Sequence, residues 1–520
     1  MELEKIAEIE QATWVNRKEL LRLGVAFLFI VGIMLFVGSK SSSVSHLLVV
    51  AGMIGGYMAM NIGANDVANN VGPAVGSRAI TLTGAILIAA IFEAMGALVA
   101  GGEVVGTIKK GIIDPALIND TDTFIWLMMG ALLAGALWLN LATILGAPVS
   151  TTHSIVGGVL GAGIAAGGWD IANWSTMGQI VLSWVISPVL GGIIAAAFLY
   201  LIKRTITYQS DMLRAATRMV PILIGVMAWA FSTYLALKGF KKLWKIDPVT
   251  ALGIGCVAGV LVTLIVSPLI KRLTVRLQND KKSVNRLFTV PLIFAAAMLS
   301  FAHGANDVAN AIGPLAAIND ALTTGGISSK ATIPLWVMMV GALGISIGLA
   351  LYGPKLIRTV GSEITELDQI RAFCIALAAA ITVIIATQFG LPVSSTHIAV
   401  GAIFGVGFLR EFLKTNYLRM VEEIEMHHQG ADREDVENFM EAFQKSSIEE
   451  KAAMLKQLKE HKSKAGLTKK ERKGLKKVYH HELVKRSAFL RIVAAWIITV
   501  PTSAMMAALL FYMIRGMMLP

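Results

Sequence analysis

What most constrains this chain is a succession of apolar runs, most of them long enough to cross a bilayer. They are Leu23–Val37, His46–Ile62, Thr83–Ala100, Phe124–Leu145, Gly178–Ile202, Val220–Leu237, Val249–Ile270, Thr289–Ala302, Ile333–Tyr352, Ala372–Phe389 and Phe489–Ile514. A spanning helix needs about 20 mostly apolar residues, so the pattern predicts an all-α polytopic membrane protein. Strands of a membrane barrel would be short and would alternate apolar with polar residues, and these runs do not alternate. With 55% hydrophobic and 15% charged residues among 520, the chain is also too apolar for an ordinary soluble enzyme.

The formal net charge of +12 does not point to a nucleic-acid partner. Lys and Arg gather in short loops, as in KRTITYQSDMLRAATR from Lys203 and KRLTVRLQNDKKSVNR from Lys271, as expected of loops facing the cytoplasm. By the same rule Arg17, Lys18 and Arg22 put the N-terminus inside and Pro520 falls outside; only Lys238, Lys241, Lys242 and Lys245 dissent. The first run lacks a convincing cleavage site and reads as a retained helix. Cys256 and Cys374 lie in apolar runs and read as core residues, without a disulfide framework.

Two pairs of polar motifs interrupt this apolar pattern. GANDVANNVGPAVGSRAIT starts at Gly63 and GANDVANAIGPLAAIND at Gly304, 241 residues later. LGAPVSTTHSIVGGVLGAGI from Leu145 and FGLPVSSTHIAVGAIFGVGF from Phe389 place their prolines, Pro148 and Pro392, 244 residues apart. Two offsets this similar imply a duplicated half. The charge count starts the first copy outside and the second inside, so the halves should be inverted. Inverted repeats with interruptions at matching places are the pattern of secondary transporters, which bind substrate and coupling ions near the midplane.

In the first motif, helical spacing puts Asp66, Asn69 and Asn70 on one face, with Gly72 and Pro73 expected to end or kink the helix. A carboxylate at the bilayer centre costs on the order of 3 kcal/mol. A hard monovalent cation would offset it, because Asp, Asn and freed backbone carbonyls offer oxygen ligands alone. Two sites follow: Asn65, Asp66 and Asn69, and Asn306, Asp307 and Asn310. A proton carrier would need one titratable group and would leave the repeated Asn residues unexplained, which favours sodium. The bland alternative, that these residues cap or glue helices, does not account for their duplication.

The second motif has no carboxylate. Its hydroxyls, Ser150, Thr151 and Thr152 in one copy and Ser394, Ser395 and Thr396 in the other, follow a proline and precede a Gly-rich apolar helix. Helix N-termini present unpaired N–H groups that attract anions, so these residues are candidates for binding a small oxyanion; ordinary capping is the alternative. The short segments Pro148–Ile164 and Pro392–Phe408 read as re-entrant hairpins. His153 and His397 end the motifs and receive no primary role. Glu93 is an intramembrane acid with Met338 as its counterpart by sequence alignment, and it is a candidate for coupling.

These motifs closely resemble those of the inorganic phosphate transporter family, over about Val44 to Leu409. The resemblance implies uptake of phosphate coupled to sodium or protons, a homodimer in the bacterial inner membrane, and movement of a transport core against a scaffold. It also implies that Asp66 and Asp307, with Asn65 and Asn306, shape the cation sites and meet phosphate through the bound cations. The hydroxyls after Pro148 and Pro392 would hold the anion. Proton-coupled phosphate or sulfate symport and an ion channel are the alternative readings. No activated nucleophile with a base at fixed spacing and no zinc-type ligand set suggests an enzyme.

The expected organisation is an N-terminal segment with the first helix (1–43), repeat 1 (44–202), connecting helices and basic loops (203–286), repeat 2 (287–409), a small helical cytosolic insert (410–487) and a last transmembrane helix (488–520). The Glu-, Lys- and Gln-rich composition of the insert, with capping patterns at Ser447 and Thr468, sets it apart from the membrane part.

Overall fold

The computed structural model describes residues 2–40, 45–118, 120–147, 149–238, 246–326, 333–363, 367–426 and 486–518. Among these there is no strand, only an isolated bridge between Ile113 and Ala172. Twelve helices among the described residues are long and apolar enough to cross a membrane. The protein is an all-α polytopic membrane protein. Helices suit this setting because each satisfies its own backbone polar groups where water cannot.

Local chemistry sets the helix ends. Asp120, Asn173 and Asp368 cap α6 (Thr121–Leu145), α8 (Trp174–Ile202) and α14 (Gln369–Gln388), each accepting a backbone N–H three residues on. Gly146, at φ 71, closes α6, and Gly390, at φ 65, follows α14. The two occupy the same place in the two halves, and the left-handed conformation that only glycine adopts freely lets the chain turn sharply into the Ser/Thr motif. After these turns begin α7 (Thr151–Gly167) and α15 (Ser395–Met426), N-capped alike by Ser150, which accepts from the His153 N–H, and Ser394, which accepts from the His397 N–H.

At the centre stands α12 (Thr289–Thr324), whose residues from Ala295 to Ala321 are all buried. Around it pack α2 (His46–Asn65), α3 (Val67–Gly76), α4 (Leu82–Ala100), α6, α13 (Leu335–Glu363) and α14. The outer helices are α1 (Glu2–Gly38), the antiparallel pair α9 (Met212–Lys238) and α10 (Pro248–Thr274), and α16 (Arg486–Met518). They leave large apolar side chains exposed, among them Phe27 and Leu35 on α1 and Val257, Leu261 and Ile265 on α10. Such a surface would be costly in water and suits lipid.

The last helix mirrors an earlier one. α8 packs along α15 and α16 packs along α7. Four rings join them in a row: Trp184 lies 3.8 Å from His153, His153 lies 4.4 Å from His397, and His397 lies 3.5 Å from Trp496. α16 therefore holds in the second half the place that α8 holds in the first, with the insert between α15 and α16.

Several expectations change. The first motif does not end at Gly72 and Pro73: the helix is interrupted at Asp66, between α2 and α3, and Pro73 lies inside α3. In the second copy of that motif α12 runs on through Asp307 and Pro314 without a break. A proline inside a helix removes the N–H that would bond the carbonyl four residues back, here Asn69 and Asn310. Cys256 is exposed on α10, whereas Cys374 is buried. The segment starting at Pro392 continues as α15 to Met426, and its residues Ser395–Leu413 are long enough to span. The capping patterns at Ser447 and Thr468, and the basic residues Lys241, Lys242 and Lys245, lie outside the described residues.

Candidate functional site

The interruption at Asp66, the midpoint of α12 and the N-termini of α7 and α15 meet in one place. Asn65, Asp66, Asn69, Ser150, Thr151, Thr152, Asn306, Asp307, Asn310, Ser394, Ser395 and Thr396 are all buried there, none more than 2% exposed. Every residue singled out for cation or anion binding is thus brought into one buried cluster.

One pattern is made twice. The Asn65 amide donates to Thr143 Oγ1 at 3.0 Å and to the Ala147 carbonyl at 3.2 Å. The Asn306 amide donates to Thr387 Oγ1 at 2.9 Å and to the Leu391 carbonyl at 3.2 Å. Each Asn therefore ties its helix to the turn that introduces the Ser/Thr motif. The Asn65 oxygen is already occupied by the Val149 N–H at 3.2 Å.

Between the halves the hydroxyls and carboxylates interlock. Thr151 Oγ1 lies 2.7 Å from Asp66 Oδ2 and 3.3 Å from Asp307 Oδ2; its single proton serves the nearer oxygen. Ser395 donates to Asp307 Oδ2 at 3.3 Å and Thr396 to Asp66 Oδ1 at 3.2 Å. Asn69 donates to Thr396 Oγ1 at 2.9 Å, while Asn310 reaches Thr151 and Thr152, each at 3.1 Å. The cation and anion residues, read as two kinds of site, form one network. Ser150 and Ser394 use their oxygens as caps.

Asp66, His303 and Asp307 each offer a ligand atom, all within 4.8 Å of one another. At that separation two ionised carboxylates repel by roughly 3 kcal/mol at an effective dielectric of about 20. A bound cation, or a proton held on one carboxylate, would relieve this. Four buried side-chain oxygens of the network, Asn69 Oδ1, Asn306 Oδ1, Asp307 Oδ1 and Asn310 Oδ1, have no hydrogen-bond partner. Buried polar atoms are almost always satisfied, and an all-oxygen set without thiolate suits a hard cation.

Glu93 sits behind this network. Its Oε2 lies 2.7 Å from His303 Nδ1, and its Oε1 accepts from Asn70 Nδ2 at 2.8 Å. His303 Nε2 in turn lies 3.2 Å from Asp307 Oδ2. His303 and Asn70 are the partners that sequence reasoning missed; the signal for His303 was its place one helical turn before Asp307. Asn70 does not share the Asp66 face as expected. Glu93's counterpart is also not Met338. A Cβ at Gly304 would strike the Glu93 carbonyl, and a Cβ at Gly63 would strike that of Ile345. In the same way Gly96 abuts the Phe301 carbonyl and Gly348 that of Met60. α4 and α13 thus correspond at an offset of 252 residues, which pairs Glu93 with Ile345. The offset differs from 241 because α12 runs seven residues further past the motif than α3 does, and the connection after it is also longer.

A family described as the phosphate transporter family matches residues 62–507. A protein of Helicobacter pylori (strain J99) named "Putative phosphate permease" is 53% identical, over 98% of each chain. One of the same name from Pyrococcus abyssi is 42% identical, over 69% of this chain and 88% of its own. Among solved structures, one described as the sodium-dependent phosphate transporter superposes with a TM-score of 0.74 at 31% identity, covering 91% of this chain and all of that one.

Proposed function

This chain belongs to the phosphate transporter family, and we propose that it imports inorganic phosphate together with sodium by alternating access between two inverted halves. The observation that carries this reading is the paired carboxylate site. Asp66 and Asp307 come from equivalent positions in the two halves, share hydroxyl partners and lie among orphaned oxygens. An anion could not approach two carboxylates unaided. Sodium ions held by Asp66 and Asn69 on one side, and by Asn306, Asp307 and Asn310 on the other, would reverse the local sign. Phosphate would then take the hydroxyl protons of Thr151, Thr152, Ser395 and Thr396, with the N-termini of α7 and α15 adding favourable dipole ends. Asn65 would serve more as a tether for the α6–α7 turn than as a ligand.

The chemistry also explains coupling. Without sodium the hydroxyls donate to the carboxylates; with sodium bound they are freed to turn to phosphate. Because the site draws hydroxyls from both halves, rocking one half against the other would expose it to one side of the membrane at a time. The likeness to a solved sodium-dependent phosphate transporter supports sodium as the coupling ion. The buried series Glu93, His303 and Asp307 is the observation favouring proton-coupled symport as a second reading.

Uptake of labelled phosphate into proteoliposomes, with sodium and pH gradients imposed separately and sulfate as competitor, tests both. Uptake driven by sodium alone and resistant to sulfate supports the proposal. Uptake driven only by a pH gradient would replace it with the second reading, and efficient competition by sulfate would overturn the substrate assignment.

A further inference from the structure

The two halves agree at the Asp and Asn positions and disagree behind them. Around Asp307 stand Glu93, His303 and, through Glu93, Asn70. The corresponding positions around Asp66, given by the offsets of 252 and 241 residues, are Ile345, Ile62 and Ala311. Both isoleucines are fully buried, as are Glu93 and His303. The fold therefore packs this position with two aliphatic side chains behind one Asp, so packing alone does not call for a carboxylate and an imidazole behind the other. Burying two ionisable side chains that packing does not require is costly.

We propose that Glu93 and His303 are positioning residues that set the Asp307 carboxylate for sodium and so make the two cation sites inequivalent. The inference rests on the sodium reading above. Glu93 is held on both oxygens, by His303 Nδ1 at 2.7 Å and Asn70 Nδ2 at 2.8 Å, and so fixes the imidazole across the α4–α12 contact. His303 Nε2, with Thr151 and Ser395, then approaches the same oxygen of Asp307, Oδ2. Oδ1 is left without a partner, and so are the side-chain oxygens of Asn306 and Asn310 on the same helix. Asp66 differs: both of its oxygens meet hydroxyls. Three free oxygens on α12 stand with a fixed backing at Asp307, whereas on the Asp66 side the carboxylate itself has none free, and of the two free amide oxygens on α3, Asn69 Oδ1 and Asn70 Oδ1, the second belongs to the residue that holds Glu93. The Asp307 site is the one built for the first sodium ion, and the Asp66 site becomes available when its hydroxyls turn away.

The test gives Asp307 the backing that Asp66 has. The full-length double variant Glu93→Ile with His303→Ile, reconstituted in proteoliposomes, is compared with the unaltered protein for initial phosphate uptake against sodium concentration. Sodium-dependent thermal stabilisation of the purified proteins supplies a readout that needs no transport. Outer groups that orient a ligand are typically worth about 10- to 100-fold in metal affinity. The sodium half-saturation should therefore rise by that factor, the sodium-dependent thermal shift should shrink, and the phosphate half-saturation at saturating sodium should stay within about threefold. Reduced maximal uptake with an unchanged sodium half-saturation and thermal shift would show a structural role only and overturn the proposal. Should the double variant not fold, Glu93→Gln decides the same question in the same two assays. An unaltered protein that shows no sodium dependence in either assay would overturn the sodium reading itself, whatever the variants do.

Discussion

The first and second halves carry the same tether and different backing. Asn65 with Thr143 and Ala147, and Asn306 with Thr387 and Leu391, make matching bonds at nearly matching lengths. Behind the carboxylates, Asp307 has Glu93 and His303 where Asp66 has Ile345 and Ile62, each pair made of one residue from either half. The difference separates two demands on one duplicated fold. Holding the two Asp-bearing segments against two helix N-termini needs the same geometry on both sides of the site. Binding more than one cation in order needs sites that differ, and the groups behind the ligands can differ without disturbing the packing.

The largest effect should come from removing either carboxylate. Asp66→Asn and Asp307→Asn keep size and hydrogen bonding while deleting the charge that a cation would meet. Hydrogen bonds to a charged group are worth about 1.5–3 kcal/mol each; Asp66 accepts from Thr151 and Thr396, and Asp307 accepts from Ser395 with His303 Nε2 at ion-pair distance, 3.2 Å away. Sodium-driven phosphate uptake should fall at least about 100-fold in both variants. Wild-type rates in either one would break the equivalence of the two carboxylates and sink the cation assignment. Next in size is Thr151→Val, which removes the hydroxyl placed between both carboxylates and approached by Asn310. Its uptake should fall by roughly 10- to 100-fold, and that of Ser395→Ala, which touches Asp307 alone, by less. Equal losses would show that the hydroxyls act separately in each half, not as a bridge.

The paired tethers and carboxylates could be read in the sequence because their motifs keep the chemistry and the spacing together. GANDVAN keeps Asn65, Asp66 and Asn69 within five residues of one another, and the repeat at Gly304 supplies the register. The backing was not legible in the same way. α4 and α13 share no motif, and the longer α12 with its longer connection moves their offset to 252 residues, so alignment led from Glu93 to Met338 when the structure leads to Ile345. His303 was visible as a residue one turn before Asp307, but its partner lies 210 residues away on another helix, and no local pattern announces such a contact. The helix interruption was expected at Pro73 and occurs at Asp66. A helix tolerates proline where its neighbours cover the freed carbonyl, and this tertiary cover is invisible in a single stretch of sequence. The same holds for α16: its likeness to α8 emerges from the stacking of Trp496 and Trp184 on the two histidines.

The close approach that reveals the register should itself be symmetric. Gly63 and Gly304 each lie against a backbone carbonyl, which cannot move aside as a side-chain tip can. Gly63→Ala and Gly304→Ala should each overpack the contact at a cost of about 1–3 kcal/mol, lowering the thermal unfolding temperature of the purified protein by similar amounts. A much larger loss at Gly304 would show that the Glu93 contact contributes to stability beyond packing, and would sharpen the contrast between the halves from the side of the fold.

The smallest effect is expected from a carboxylate of the same type outside the site. Asp280, outside the buried cluster, caps the short helix Lys281–Leu287, accepting the Ser283 N–H at 2.6 Å. That backbone hydrogen bond, followed by one from the Ser283 side chain, lowers its pKa below the usual carboxylate value. A folded-state pKa below the unfolded one adds stability that is present above an ordinary Asp pKa of about 3.9 and disappears as pH falls through the lower folded value. Asp280 should therefore contribute nothing to any change in uptake between pH 5 and pH 8. Asp280→Asn, which can cap equally well, should keep uptake within about twofold of the unaltered protein. The chemical change is the same as in Asp307→Asn. If both variants lost activity to the same degree, the carboxylates would matter through net charge or folding; if only Asp307→Asn loses it, what matters is a buried charge with a free oxygen beside Asn306 and Asn310.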